Sequence, residues 1–112
     1  MTVGNSDKAQ YLNDAFQIPK AHIFDSRSPS FYQGIMNCTA QRGVDIVLNS
    51  LSGELLHLSW KCVAEFGKMI ELGKRDILGY GKLDMNVFSG NRSFIGVDVK
   101  HLVEQDPRRF QE

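Results

Sequence analysis

The chain has 112 residues, with 13 Lys plus Arg balanced by 13 Asp plus Glu. That length allows one domain, and the zero net charge removes the electrostatic case for nucleic acid or an anionic membrane as the main partner. Hydrophobic residues at 42% and charged residues at 23% are ordinary globular values and exclude a disordered chain.

The apolar runs are only a few residues long, so nothing is expected to span a bilayer, and the opening MTVGNSDKAQ has no apolar signal core. A cytoplasmic protein is the expectation. Cys38 and Cys62 are far apart and in no metal-type spacing, and they read as two buried, reduced thiols. No set of His, Cys and Asp has zinc-ligand spacing either, which argues against a metal site.

Strand and helix signals alternate from the start. Thr2-Val3 reads as the tail of a strand, followed by helix-capping chemistry at Asn5-Ser6-Asp7. Ala9, Leu12, Ala15 and Phe16 have helical spacing, so residues 8–17 should form an amphipathic helix, stopped by Pro19. His22-Ile23-Phe24 reads as a short strand. Ser28-Pro29-Ser30 opens a second helix, with Pro29 near its first turn and Phe31, Ile35 and Met36 on its apolar face.

After the turn at Gly43, Val44 to Leu48 is a strand. Ser52-Gly53 then begins a helix, capped by Ser52, that carries Leu55, Leu56, Ser59, Cys62 and Val63 and ends at Gly67. Trp60 on this helix is expected in the core, and His57 half-exposed beside it. Lys68 to Leu72 is the next strand, ending at Gly73. Residues 76–90 read as irregular, 92–99 as a last strand, and 100–112 as a helix broken near Pro107.

This rhythm implies an α/β fold, a parallel sheet with flanking helices, whose ligands bind at the carboxyl ends of the strands. The residues to watch are therefore Gly4 to Ser6, Asp25 to Arg27, Asn49 to Ser52, Gly73 to Asp76 and Asp98 onward. A dinucleotide-binding sheet normally opens with a strand and a glycine-rich turn that brings backbone N–H groups to the pyrophosphate. No GxGxxG run occurs among the 10 glycines. The expectation is an incomplete Rossmann-like sheet over residues 1–112, lacking the first strand and glycine-rich loop and with no second domain. In the usual strand order that loss leaves two strand groups with nothing between them. The chain thus reads as a fragment of a larger protein or a truncated gene product.

Two runs carry a family resemblance: Gly43-Val44-Asp45-Ile46-Val47-Leu48-Asn49-Ser50-Leu51-Ser52-Gly53-Glu54 and Phe66-Gly67-Lys68-Met69-Ile70-Glu71-Leu72-Gly73-Lys74-Arg75-Asp76-Ile77. Both resemble the enoyl reductase domain of highly reducing polyketide synthases, in the zinc-free, quinone-reductase-like branch of the medium-chain dehydrogenase/reductases. Val3 to Lys8, Ile18-Pro19 and His22 to Arg27 are similar to further segments of that domain, in order and with the spacing kept. The wording of Lys74 to Ile77 and of Gly96 to Val99 is closest to the fungal synthases.

The resemblance implies NADPH-dependent reduction of the α,β double bond of a carrier-bound enoyl thioester, with other synthase domains as partners. Hydride would go to the β-carbon and a proton to the α-carbon, with the thioester oxygen stabilised as the enolate forms. By themselves Lys8 and Arg27 read as solvated surface charges. The resemblance implies that they hold the 2′-phosphate of NADPH, with Asn5 and Ser6 adding hydrogen bonds from the same turn. It also places Asn49, Ser50 and Leu51 beside the ribose and nicotinamide.

Lys74 and Asp98 are the candidate catalytic pair, and the resemblance implies that they act near the nicotinamide, the lysine as proton donor. Asp98 is expected on a strand among Phe94, Ile95, Val97 and Val99, where a structural ion pair is an equal reading. Two other readings stay open. One is a non-enzymatic remnant or interaction module; the other is a piece of a stand-alone quinone-reductase-like oxidoreductase. Without the glycine loop and a substrate domain, the isolated chain is expected to be inactive.

Overall fold

The computed structural model describes residues 1–105 and Arg108. The elements are β1 (Thr2–Val3), α1 (Ser6–Phe16), a 3-10 turn (Lys20–His22), β2 (Phe24–Asp25), α2 (Ser30–Cys38), β3 (Val44–Asn49), α3 (Glu54–Lys61), β4 (Val63–Glu71), α4 (Arg75–Leu78), a second 3-10 turn (Met85–Phe88), β5 (Ser93–Gly96) and α5 (Val99–Gln105). Every strand pair is parallel. β1 pairs with β2, Thr2 opposite Phe24. β3 pairs with β4 and β4 with β5, with Asn49 opposite Glu71 and Glu71 opposite Gly96. The carboxyl ends of β3, β4 and β5 therefore lie at one end of their sheet.

The split anticipated from the missing glycine turn is present: β1-β2 and β3-β4-β5 are separate sheets. Between them runs a cavity of about 860 Å³, bordered by Met1 to Gly4 on one side and by Val44 and Ile46 to Leu51 on the other, with Phe31 and Ile35 of α2 also lining it. Ile46 and Leu48 on β3 are 62% and 68% exposed, although strand residues of this type normally sit in a core. α1 shows the same shortage of cover. Ala9 and Leu12 are half-buried, but Ala15 and Phe16 at the end of its apolar face are exposed.

The core lies on the larger sheet. Leu56, Trp60, Val63 and Met69 form the buried cluster, with Val47, Phe88 and Phe94 among the side chains packed on it. Trp60 meets Phe88 and Phe94 edge-on, at ring-centroid distances of 4.8 and 5.6 Å. Its indole N–H donates to the Asp84 carbonyl at 3.3 Å.

Local chemistry explains most boundaries. Asn5 caps α1, its side chain accepting from the Lys8 N–H at 2.8 Å. Gln17 in the left-handed region closes the helix, two residues before Pro19. Gly43 has φ +89°, and a Cβ there would lie 2.4 Å from the Cys62 carbonyl oxygen, so only glycine admits the close crossing from α2 into β3.

Several expectations need correction. The helix drawn to Gly67 stops at Lys61, and Val63 begins β4. The Cys62 carbonyl accepts from the Val44 N–H at 2.8 Å, which takes the chain into the sheet. Cys62 is buried as the C-cap of α3 and Val63 as the start of a strand, rather than on a continuing helix face. The pairing register between β3 and β4 then jumps between Val44 and Ile46, and Phe66 takes up a φ of +62° within this bulge.

Gly53, not Ser52, is the N-cap of α3, and Pro29 stands at the N-cap of α2, one place before its first turn. The strand expected at His22 to Phe24 is a 3-10 turn followed by β2. The last strand is confined to Ser93–Gly96, and the segment read as irregular holds α4 and the second 3-10 turn. Of the terminal helix, Val99–Gln105 is observed; the break expected near Pro107 lies outside the described residues.

The thiols differ from the expected pair of buried groups. Cys62 is buried and Cys38 is exposed at the end of α2. Burial pushes the Cys62 thiol up to about 11. Only a small fraction is then thiolate at pH 8, and the thiolate is the nucleophile. Ellman titration of the native protein at pH 8 should therefore count one fast thiol, with the second appearing only in denaturant. Two fast thiols in the native protein would contradict this packing.

Candidate functional site

The cavity between the sheets collects residues that follow strands in both of them. Gly4, Lys8 and Ser26 reach it from the β1-β2 side, and Asn49, Ser50 and Leu51 from the end of β3. Lys8 is exposed in the first turn of α1. Arg27 follows β2, where its backbone N–H donates to Asp25 Oδ1 at 2.8 Å. Its guanidinium lies over Gly4, so that a Cβ at Gly4 would be 3.4 Å from Arg27 Nε. Neither Lys8 nor Arg27 makes a salt bridge among the described residues. Asn5 and Ser6 open instead on a smaller cavity of about 240 Å³, beside Gly4 and Asp25. Asn5 is engaged in capping α1.

Asn49 differs from its neighbours. It is 3% exposed. Its Nδ2 donates to Glu71 Oε2 at 2.6 Å and to the Leu51 carbonyl at 2.9 Å, and its Oδ1 accepts from the Leu51 N–H at 3.2 Å. Asn49 thus shapes the turn from within. At this turn the cavity is bordered by Ser50, which is exposed, and by Leu51, which is half-buried.

Lys74 and Asp98 are brought together as expected, with Nζ 2.8 Å from Oδ1. Their surroundings are not those expected. β5 ends at Gly96, and Asp98 lies beyond it at the start of α5, where its carboxylate also accepts from the His101 N–H at 3.1 Å. The side chains of Lys74 and Asp98 are 42% and 55% exposed, so the carboxylate is not set among apolar residues. The Lys74 ammonium, followed by the His101 N–H, holds the Asp98 carboxyl below its usual range. Neither residue borders the two cavities described above.

One buried polar residue escaped the sequence reading. Glu71, the last residue of β4, is 1% exposed. The available signal was its position, an acidic residue closing the apolar run Met69-Ile70 just before the turn.

A cavity at the carboxyl ends of parallel strands, edged by Lys8, by the Ser50–Leu51 turn and by Gly4, on which the Arg27 guanidinium rests, can receive an anionic, elongated ligand. No protein-family model matches the chain. It is 58% identical over 106 residues to a highly reducing polyketide synthase of Fusarium sp, covering 95% of this chain, and 59% identical over 99 residues to one of Glarea lozoyensis, covering 88%. Its fold superposes on the nucleotide-binding subdomain of the enoylreductase domain of PpsC from Mycobacterium tuberculosis with a TM-score of 0.87 and 33% identity, over 98% of this chain and 60% of that one.

The chain is homologous to the nucleotide-binding portion of polyketide synthase enoyl reductases. It spans about 4% of the length of those two synthases. The Rossmann-like character expected from the strand–helix rhythm is that of the reductase subdomain. Among the described residues no helix is long and apolar enough to cross a membrane.

Proposed function

We propose that this chain is the nucleotide-holding part of an NADPH-dependent enoyl reductase acting on carrier-bound enoyl thioesters in a cytoplasmic polyketide synthase, and that it does not turn over by itself. The observation that carries the reading is the convergence of Lys8, the Arg27–Gly4 contact and the Ser50–Leu51 turn at the carboxyl ends of the two sheets.

The residues fit the cofactor. Two cations without carboxylate partners among the described residues suit a dianionic 2′-phosphate, Lys8 bordering the cavity and the Arg27 guanidinium resting on Gly4 at its edge. Bound NADPH supplies the hydride for the β-carbon of the alkene. Lys8 and Arg27 hold the phosphate, with Asn5 and Ser6 contributing from the same turn. Asn49 orders the turn so that Ser50 and Leu51 line the ribose and nicotinamide end. Lys74 Nζ is the proton source for the α-carbon, and Asp98 holds that ammonium in place. The openness of the Lys74–Asp98 pair and of the trench between the sheets supports inactivity of the chain in isolation, because both need further protein to exclude water.

The test uses adenosine 2′,5′-bisphosphate against 5′-AMP, two nucleotides that differ only in the 2′-phosphate. Charge-assisted hydrogen bonds contribute roughly 1.5–3 kcal/mol each, so the bisphosphate should bind at least about tenfold tighter by calorimetry. Lys8→Ala and Arg27→Ala should each remove about tenfold of that preference and leave 5′-AMP unaffected. Equal affinity for the two nucleotides in the unaltered protein would overturn the NADPH reading.

A further inference from the structure

We propose that Glu71 is a positioning residue. Its buried carboxylate holds the Ser50–Leu51 turn and the Gly73–Lys74 turn in fixed relation. The clamp stands on geometry alone, and its consequence for nucleotide rests on the reading above.

Glu71 and Asn49 are register partners at the carboxyl ends of adjacent strands. One oxygen of Glu71, Oε2, accepts from Asn49 Nδ2 at 2.6 Å, and the other, Oε1, accepts from the Gly73 N–H at 2.6 Å. Asn49 passes the constraint to Leu51 through both ends of its amide. The main chain reinforces the link: the Leu72 N–H donates to the Asn49 carbonyl at 2.8 Å, and the Val97 N–H to the Glu71 carbonyl at 2.9 Å. A little further out, Asp76 Oδ2 accepts from the Gly53 N–H at 2.9 Å.

Glu71 makes no salt bridge among the described residues. A carboxylate in such a place is costly unless its acceptor geometry is used. Here both oxygens face N–H donors, a demand that only an acceptor at each position meets. Gly73 is matched to it, since a Cβ at residue 73 would lie 2.7 Å from Glu71 Oε1. Ser50 and Leu51 border the cavity and Lys74 directly follows Gly73, so this one side chain sets the spacing between the proposed nucleotide turn and the proposed proton donor.

The design of the test follows from donor and acceptor counting. Glu71→Gln presents an NH₂ to one of the two donors. Rotating the Asn49 amide to accept from it only moves the conflict to the Leu51 N–H. Asn49→Asp alone sets two carboxylates face to face. The double variant Glu71→Gln/Asn49→Asp reverses the polarity of the pair. The introduced glutamine can then donate to the introduced aspartate while still accepting from the Gly73 N–H; the bond to the Leu51 carbonyl is lost, and that carbonyl must turn away from the new carboxylate oxygen.

Amide hydrogen exchange of the 112-residue chain, read by NMR, is the primary measurement. Each single variant should accelerate exchange at Gly73 or Leu51 at least tenfold, with β5 unchanged, and the double variant should restore it to within about threefold. A purely global loss of stability would raise exchange throughout the sheet. Unchanged Gly73 and Leu51 exchange in both single variants, or a double variant no better than the singles, would overturn the clamp. Should the single variants fail to fold, a folded double variant with protected Gly73 and Leu51 supports it, and an unfolded one overturns it.

NADPH fluorescence on the same proteins separates the two readings. Weaker binding in Glu71→Gln, recovered in the double variant, is expected. Equal NADPH binding despite altered exchange overturns the positioning role. The exchange pattern with no NADPH binding even in the unaltered chain counts against the nucleotide reading and leaves the clamp standing.

Discussion

Trp60→Ala should abolish cooperative folding of the 112-residue chain at 25 °C. Trp60 is the largest fully buried side chain, 1% exposed, and it touches both the buried aliphatic cluster and the edges of Phe88 and Phe94. Truncating a buried tryptophan costs about 3–5 kcal/mol through lost transfer energy and the cavity left behind. Each aromatic edge contact adds about 0.5–1.5 kcal/mol. Domains hold only about 5–15 kcal/mol in total, and one of this size with two separate sheets should sit at the low end. Trp60→Phe retains most of the volume and loses the hydrogen bond to Asp84, so it should cost only about 1–3 kcal/mol. Urea unfolding followed by far-ultraviolet circular dichroism distinguishes these outcomes without relying on the single tryptophan. A cooperative transition for Trp60→Ala close to that of the unaltered chain would show that the core does not centre on this residue.

The elements that were legible in the sequence are those whose signals are local. β3 is an apolar run closed by a turn, and α1 has a capping residue at one end and a proline past the other, so both lie close to where the residues put them. The beginning of β4 was hidden because Leu55, Leu56, Ser59, Cys62 and Val63 fit a helical stripe, and nothing local reveals that the Val44 N–H will take the Cys62 carbonyl. Long-range pairing decided between helix and strand where periodicity could not. Asp98 was misplaced for a related reason. The alternation of apolar residues continues to Val99, whereas pairing with β4 stops at Gly96 and frees Asp98 to start a helix.

The site shows the same division. Lys8, Ser50 and Leu51 could be found because they follow strands, and the cavity gathers them. The Lys74–Asp98 pair was singled out from its place at the strand ends together with the family resemblance, and the structure joins its two members while leaving them exposed. Glu71 was not found, because its role exists only against Asn49, 22 residues away in the chain. A buried acid reads in sequence as an ordinary charge until the strand beside it is known.

Placing an extended apolar strand in the trench between β1 and β3 should change this protein more than any substitution. Among the described residues each of the two strands pairs on one side only, and both border one cavity of about 860 Å³. Unpaired edges of this kind are templates for a further strand. Covering Ile46 and Leu48, now 62% and 68% exposed, is worth up to about 1.5–3 kcal/mol apiece, and each new backbone hydrogen bond adds roughly 0.5–1.5 kcal/mol. At about 4–8 °C per kcal/mol, a fusion carrying a strand of alternating Val and Ile, then a glycine-rich turn and a helix, should melt at least about 10 °C higher than the chain alone. A turn at the end of that strand would add backbone N–H donors on the side where Lys8 and Ser50 already border the cavity, so NADPH affinity should rise at least about tenfold. The control is the same fusion with its strand residues changed to Ser and Asp. It should gain neither stability nor affinity, because a polar strand cannot cover Ile46 and Leu48. Equal melting and equal affinity for the apolar and polar fusions would mean that the trench does not accept a strand. NADPH affinity of the unfused chain equal to that of the apolar fusion would mean that the two half-sheets already suffice to hold the nucleotide.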